Sequence, residues 1–143
     1  PNGMYNVASG EHSSVTHLAV DVFLDMPVGD AGALNAYAAY MNFNYGENHV
    51  ARWAGTGSAI YAQIGYLFKA AKLMPYIGFN TGNYEGLDDP INALDAGLNY
   101  FINGHNAKLT LEYHKISGDI REGAIATQAD ALSQIRLQLH VFL

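Results

Sequence analysis

Apolar and polar residues alternate with a period of two over segments of about ten residues, and this constrains the chain more than any other feature. The stretch SQIRLQLHVFL (133–143) shows it most plainly. Ile135, Leu137, Leu139, Val141 and Leu143 fall on one side of an extended strand, and Gln134, Arg136, Gln138, His140 and Phe142 on the other. A helix of the same composition would scatter these aliphatics around its circumference, because its side chains repeat every 3.6 residues.

The pattern recurs along the chain. It predicts strands over 16–26, 35–45, 58–68, 73–84, 91–102, 107–116 and 133–143, with a frayed eighth over 3–9. Leu18, Val20, Val22, Leu24 and Met26 share one face, as do Ile60, Ala62, Ile64, Tyr66 and Phe68, and Leu94, Ala96, Leu98, Tyr100 and Ile102. In 35–45 the outward face is assigned to Tyr37, Ala39, Met41, Phe43 and Tyr45. Residues 122–134 have some helical character, enough for one or two turns before the last strand. The fold class is therefore all-β, an antiparallel up-and-down meander of seven or eight strands in one β-barrel region spanning 1–143.

Composition narrows the environment. Half of the residues are hydrophobic and only 14% are charged, with ten Tyr, six Phe and fifteen Gly. No stretch approaches the roughly 18 consecutive apolar residues of a membrane helix, whereas a membrane strand needs only about 9–11 residues with alternate ones apolar. A net charge of −6 argues against nucleic acid and against an anionic membrane surface. Without cysteine there are no disulfides and no thiolate metal sites. The opening PNGMYN, with neither initiator Met nor leader, is expected of a processed form or a fragment.

Connection lengths decide between a soluble sandwich and a transmembrane barrel. Short links (27–34, 69–72, 103–106) alternate with longer ones (46–57, 85–90, 117–130). Outer-membrane barrels put short turns at one rim and long loops at the other, and a sandwich has no reason to. Tyr66, Phe68 and Tyr100 would form an outward aromatic band at the short-turn rim, with Phe43, Tyr45 and Tyr113 at the opposite one, as interfacial girdles do. On this reading the aliphatic faces meet lipid.

The segments GLNYFINGHNAKLTLEY (97–113) and IRLQLHVFL (135–143), with PYIGFN (75–80) and GALNAYAAYMNFNYG (32–46), resemble strands of porins of the phosphate-selective O and P family. The resemblance implies a trimeric, sixteen-stranded transmembrane barrel in the outer membrane of a Gram-negative bacterium, of which this chain is the C-terminal half. It implies passive diffusion of small polar solutes or ions, lipid as the surrounding partner, and a homotrimer or larger membrane assembly. The alternative is a small structural or interaction barrel, or an accessory subunit, with a filled interior. Inward Phe23, Tyr61, Phe101 and Phe142 suit that alternative.

A channel needs a polar lumen rather than a catalytic constellation. Strand parity gives Asp21, Asp25, Asp95, Lys108, Glu112, His114, Arg136 and His140 as candidate pore-lining residues, together with Tyr61, Gln63, Asn99, Gln134 and Gln138. Lys108, Glu112, His114, Arg136 and His140 lie on adjacent strands, so cross-strand ion pairs are expected. Two bases on this face do not make a phosphate site, so phosphate selectivity is not carried over from the resemblance. The six His show neither HxH nor HExxH spacing, and no metal, cofactor or catalytic residue is predicted. Trp53 beside Arg52 reads most simply as a loop anchor, with a constriction role inside the barrel as the alternative.

Overall fold

The computed structural model describes residues 3–6, 10–47, 49–51, 54–104, 106–118 and 132–142. Among the described residues eleven strands follow one another: β1 (Gly3–Asn6), β2 (Glu11–Ser14), β3 (Thr16–Val28), β4 (Gly32–Asn44), β5 (Val50–Ala51), β6 (Ala54–Gly55), β7 (Gly57–Phe68), β8 (Leu73–Tyr84), β9 (Ile91–Asn103), β10 (Ala107–Ser117) and β11 (Leu132–Val141). Seven of them form one antiparallel sheet in the order β11-β10-β9-β8-β7-β4-β3. The other four make two hairpins, β1 with β2 and β5 with β6. There is no helix among the described residues.

The seven predicted strands match the seven of the sheet within a few residues at each end. The predicted eighth strand contributes β1, which pairs with β2 and not with the main sheet. The helical turns expected over 122–134 fall mostly outside the described residues, as do Arg52 and Trp53, and 132–134 are the start of β11.

Register sorts the side chains into two faces. Cross-strand partners lie on the same side of a sheet, so one chain of pairings follows a face across all seven strands. Val22 is opposite Ala38, Ala38 opposite Ala62, Ala62 opposite Phe79 and Phe79 opposite Leu94. A parallel chain links Ile77, Ala96, Tyr113 and Ile135. This face is apolar from edge to edge, and polar residues on it gather at one rim. Asn42, Ser58 and Asn83 are successive partners there, and Lys115 faces Ser133.

Strand β4 corrects one expectation. Ala36, Ala38 and Tyr40 take the apolar face opposite Leu24, Val22 and Val20, whereas Tyr37, Ala39, Met41 and Phe43 share the polar face with Phe23, Asp21, Ala19 and His17. Both sides of β4 mix alanine with aromatics, so hydropathy within the strand cannot set its facing; the neighbours' register does. The aromatic band expected from Phe43 and Tyr45 is therefore not outward. Both rings pack on His17, with centroids 5.5 and 4.9 Å away. Tyr66, Phe68, Tyr100 and Tyr113 do lie on the apolar face.

The sheet is a single layer and is not closed; β3 and β11 are its edges. Among the described residues no large side chain is fully buried. The apolar face is instead open, with Ile135 79%, Leu137 71% and Val22 65% exposed. The short turns that follow β3, β7 and β9 stand at one rim, and β4, β8 and β10 lead into the longer connections from the other. Gly29 and Gly104 sit in the short turns at φ +57° and +53°, a left-handed backbone that tight hairpins need and that glycine adopts without strain. The connection 45–56 carries the β5–β6 hairpin and is tied by buried Thr56, whose Oγ1 donates to the Gly46 carbonyl at 2.5 Å and accepts from the Tyr45 amide at 2.9 Å.

One close approach on the polar face fixes a side chain. The Tyr76 ring lies over Gly97, its register partner on β9, so that a Cβ at Gly97 would collide with the ring. Gly97→Val is expected to cost about 1–3 kcal/mol, the range for overpacking. Introduced into a Tyr76→Ala background it should cost less, as read from urea midpoints.

Candidate functional site

The polar face is built from alternate residues of the same seven strands. All eight candidate pore-lining residues fall on it, because register links Asp21 to Ala39, Asp25 to Asn35, Asp95 to both Gly78 and His114, Glu112 to Arg136 and Lys108 to His140. They divide into two groups. Asp21 and Asp25 lie on edge strand β3. Asp25 borders a shallow depression of about 290 Å³ at the short-turn rim, shared with Asn35, Lys69 and Lys72. The other six lie on β9, β10 and β11, at the opposite side of the sheet.

Four of those six form a network. Arg136 Nη1 donates to Glu112 Oε1 at 3.1 Å, directly across the β10–β11 ladder. The other carboxylate oxygen, Oε2, accepts from the Tyr76 hydroxyl at 2.6 Å, reaching two strands in the other direction. His114 and Asp95 meet across the β9–β10 ladder with Nδ1 and Oδ1 2.5 Å apart. Their side chains are 15% and 16% exposed and that of Glu112 19%, while Arg136 is more open at 48%. Thr110 Oγ1 donates to Asn99 Oδ1 at 2.6 Å beside them, and Asn99 is buried.

The local sequence explains the clustering. Glu112 and His114 are two apart on β10, so both project to one side. Gly97 and Gly78 are the partners of Glu112 and Asp95 on the adjoining strands, and their missing side chains leave room for Tyr76 and Tyr61. Tyr61 donates to Gln63 Oε1 at 2.7 Å and its ring lies 5.9 Å from that of Tyr37. Lys108 and His140 are direct neighbours across the ladder, and the His140 ring contacts Phe142 at 4.5 Å.

Strand parity predicted every ionised member of this network. Tyr76 it did not single out, although the tyrosine joins β8 to the Glu112–Arg136 pair. Its signal was the Gly97 opposite, visible only once the β8–β9 register is known. The network sets fixed charges and hydroxyls, partly exposed, side by side on a hydrogen-bonded ladder.

No family model matches the chain, and no curated protein or solved structure matches it.

The Glu112–Arg136 pair is partly exposed, so its coupling should be modest. A double-mutant cycle with Glu112→Gln and Arg136→Gln is expected to give about 0.2–1 kcal/mol. The coupling should shrink as salt rises from 0.01 to 1 M, where the screening length falls from about 30 to 3 Å. A coupling that ignores salt would contradict the solvated geometry.

Proposed function

We propose that this chain forms the wall of an outer-membrane β-barrel of a Gram-negative bacterium and works as a porin-like channel for passive diffusion of small polar solutes or ions. The observation that carries this reading is the apolar face, continuous over seven strands and exposed on all of them, backed by a polar face holding the charges. Soluble monomers rarely expose contiguous apolar patches beyond a few hundred Å². A second protein layer would also cover such a face, but lipid accounts for its dimensions as well. Leu18 to Val28 on β3 covers about 33 Å along the strand at ~3.3 Å per residue. At a tilt near 40° that is about 25 Å of membrane height, the thickness of a barrel's apolar band.

Other features agree. Short turns at one rim and long connections at the other, aromatics on the apolar face near the short turns, and Lys115 with Asn42, Ser58 and Asn83 at the far rim all fit a bilayer boundary. The seven strands alternate in direction, so β3 and β11 run the same way. An all-antiparallel barrel containing them takes an odd number of further strands between those edges. The resemblance to phosphate-selective porins supplies the trimeric assembly as part of this proposal.

A filled barrel with a structural or interaction role is the second reading, favoured by the rings of Phe23, Tyr37, Tyr61, Tyr76 and Phe101 on the polar face. Side chains fill an eight-stranded interior, while about sixteen strands leave water.

Planar-bilayer recording separates the two. The polar face carries Asp21, Asp25, Asp95 and Glu112 against Lys108 and Arg136, and charges along a narrow path bias which ions enter. A channel lined by this face should give stable conductance steps and a reversal potential in asymmetric KCl showing weak cation preference. Anion preference, or block by low phosphate, would assign selectivity to other strands. No conductance from properly inserted protein would favour the filled barrel.

A further inference from the structure

The polar wall holds a donor set that sequence spacing does not reveal. Asp95, Glu112 and His114 each offer one ligand atom, and these three atoms all lie within 4.8 Å of one another. Two of the residues are i and i+2 on β10, and the third is the direct cross-strand partner of His114 on β9. No HxH or HExxH pattern announces such a site, because the ladder and not the chain brings the third ligand in.

We propose that Asp95, Glu112 and His114 bind a first-row divalent cation of the Zn²⁺ type on the polar wall of the sheet. The donor chemistry fits: imidazole nitrogen and carboxylate oxygen are ordinary zinc ligands at about 2.0–2.2 Å. Donors around a tetrahedral ion at that distance stand about 3.4 Å apart, so a pair at the 4.8 Å limit closes by little more than about 1 Å and the His114–Asp95 pair, 2.5 Å apart, opens by about 1 Å. Rotation about the Asp and Glu side-chain bonds supplies that much while the strands stay fixed. Three protein ligands leave further positions for water on the open side of the sheet, so the site binds without being sealed.

Charge and orientation favour the same conclusion. Two carboxylates this close repel each other, and Arg136, which ion-pairs with Glu112 and also donates from Nε to Gln134 Oε1 at 3.2 Å, is nearly half exposed. The carboxylates of Asp95 and Glu112 face the single guanidinium of Arg136, and a divalent ion offsets the excess negative charge. Tyr76 and Arg136 hold the two oxygens of Glu112 from opposite sides and leave lone pairs on both, the way outer partners orient a ligating carboxylate. Side-chain exposures of 15–19% shelter the ligands and still allow entry from the polar side. The site stands on the sheet's register alone, and does not depend on whether the protein conducts ions.

The test is calorimetric titration of the full-length, liposome-inserted protein with ZnCl₂, with optical spectra of the Co²⁺-substituted form to report coordination geometry. One ion per chain is expected. His114→Gln and Asp95→Asn should each weaken binding at least about 10-fold, and Tyr76→Phe about 10-fold through the loosened Glu112. His140→Gln, on the same face but outside the cluster, should leave it unchanged. Gel mobility before and after heating verifies that each variant is folded. Binding that survives both ligand substitutions, or no binding by the unaltered protein, overturns the site and leaves the cluster a set of ion pairs.

Discussion

The hydrogen-bonded ladder that runs from β11 through β10, β9, β8, β7 and β4 to β3 is what every other feature depends on. In most domains side-chain packing between two layers holds the elements together. Here no large side chain among the described residues is fully buried, and the buried hydrophobic residues among them are the small Ala39 and Ala59. A ladder alone does not stabilise a sheet in water, since its hydrogen bonds merely replace those to solvent. In a bilayer the balance changes. Unpaired backbone groups there cost several kcal/mol each, so a fully paired strand set becomes the required solution and the exposed aliphatic face becomes the favourable one. On the proposed membrane reading, the open edges at β3 and β11 are the two places where further strands would join.

The ladder also builds the polar network. Asp95, Glu112, His114 and Arg136 come from three strands and meet because directly opposed residues stand about 5 Å apart on one face. Sliding β10 by one residue would send Glu112 and His114 to the apolar side and bring Leu111 and Tyr113 to the polar one. The network and the apolar face therefore depend on the same register. Tyr76 over Gly97 and the Asp95–His114 contact act as local markers of it, since neither survives a slip.

Much of this is legible in the sequence. Alternation in 107–116 and 133–143 placed Glu112 and Arg136 on one face of adjacent strands, and their ion pair followed. Strand β4 was not legible, because Tyr37 and Phe43 on one side balance Ala36, Ala38 and Tyr40 on the other, and only pairing with β3 and β7 breaks the tie. Tyr76 escaped notice because its role depends on a glycine that lies 21 residues away in sequence and opposite in register. The tie between Thr56 and Gly46 was equally hidden, since a loop's hydrogen bonds follow from its closed shape and not from periodicity. The cation site belongs to this class, being a cross-strand property that linear motifs cannot express.

Lipid contact by one face and water contact by the other is the central claim, and site-directed spin labelling along β10 tests it most directly. Single nitroxides at positions 108 to 114 of the liposome-inserted protein would be scored for collision with oxygen, which concentrates in the bilayer, and with a water-soluble nickel chelate. The account predicts alternation with a period of two, with oxygen contact highest at 109, 111 and 113 and nickel contact highest at 108, 110, 112 and 114. Uniform access to both probes, or low oxygen access at 109, 111 and 113, would mean that protein or water and not lipid covers the apolar face.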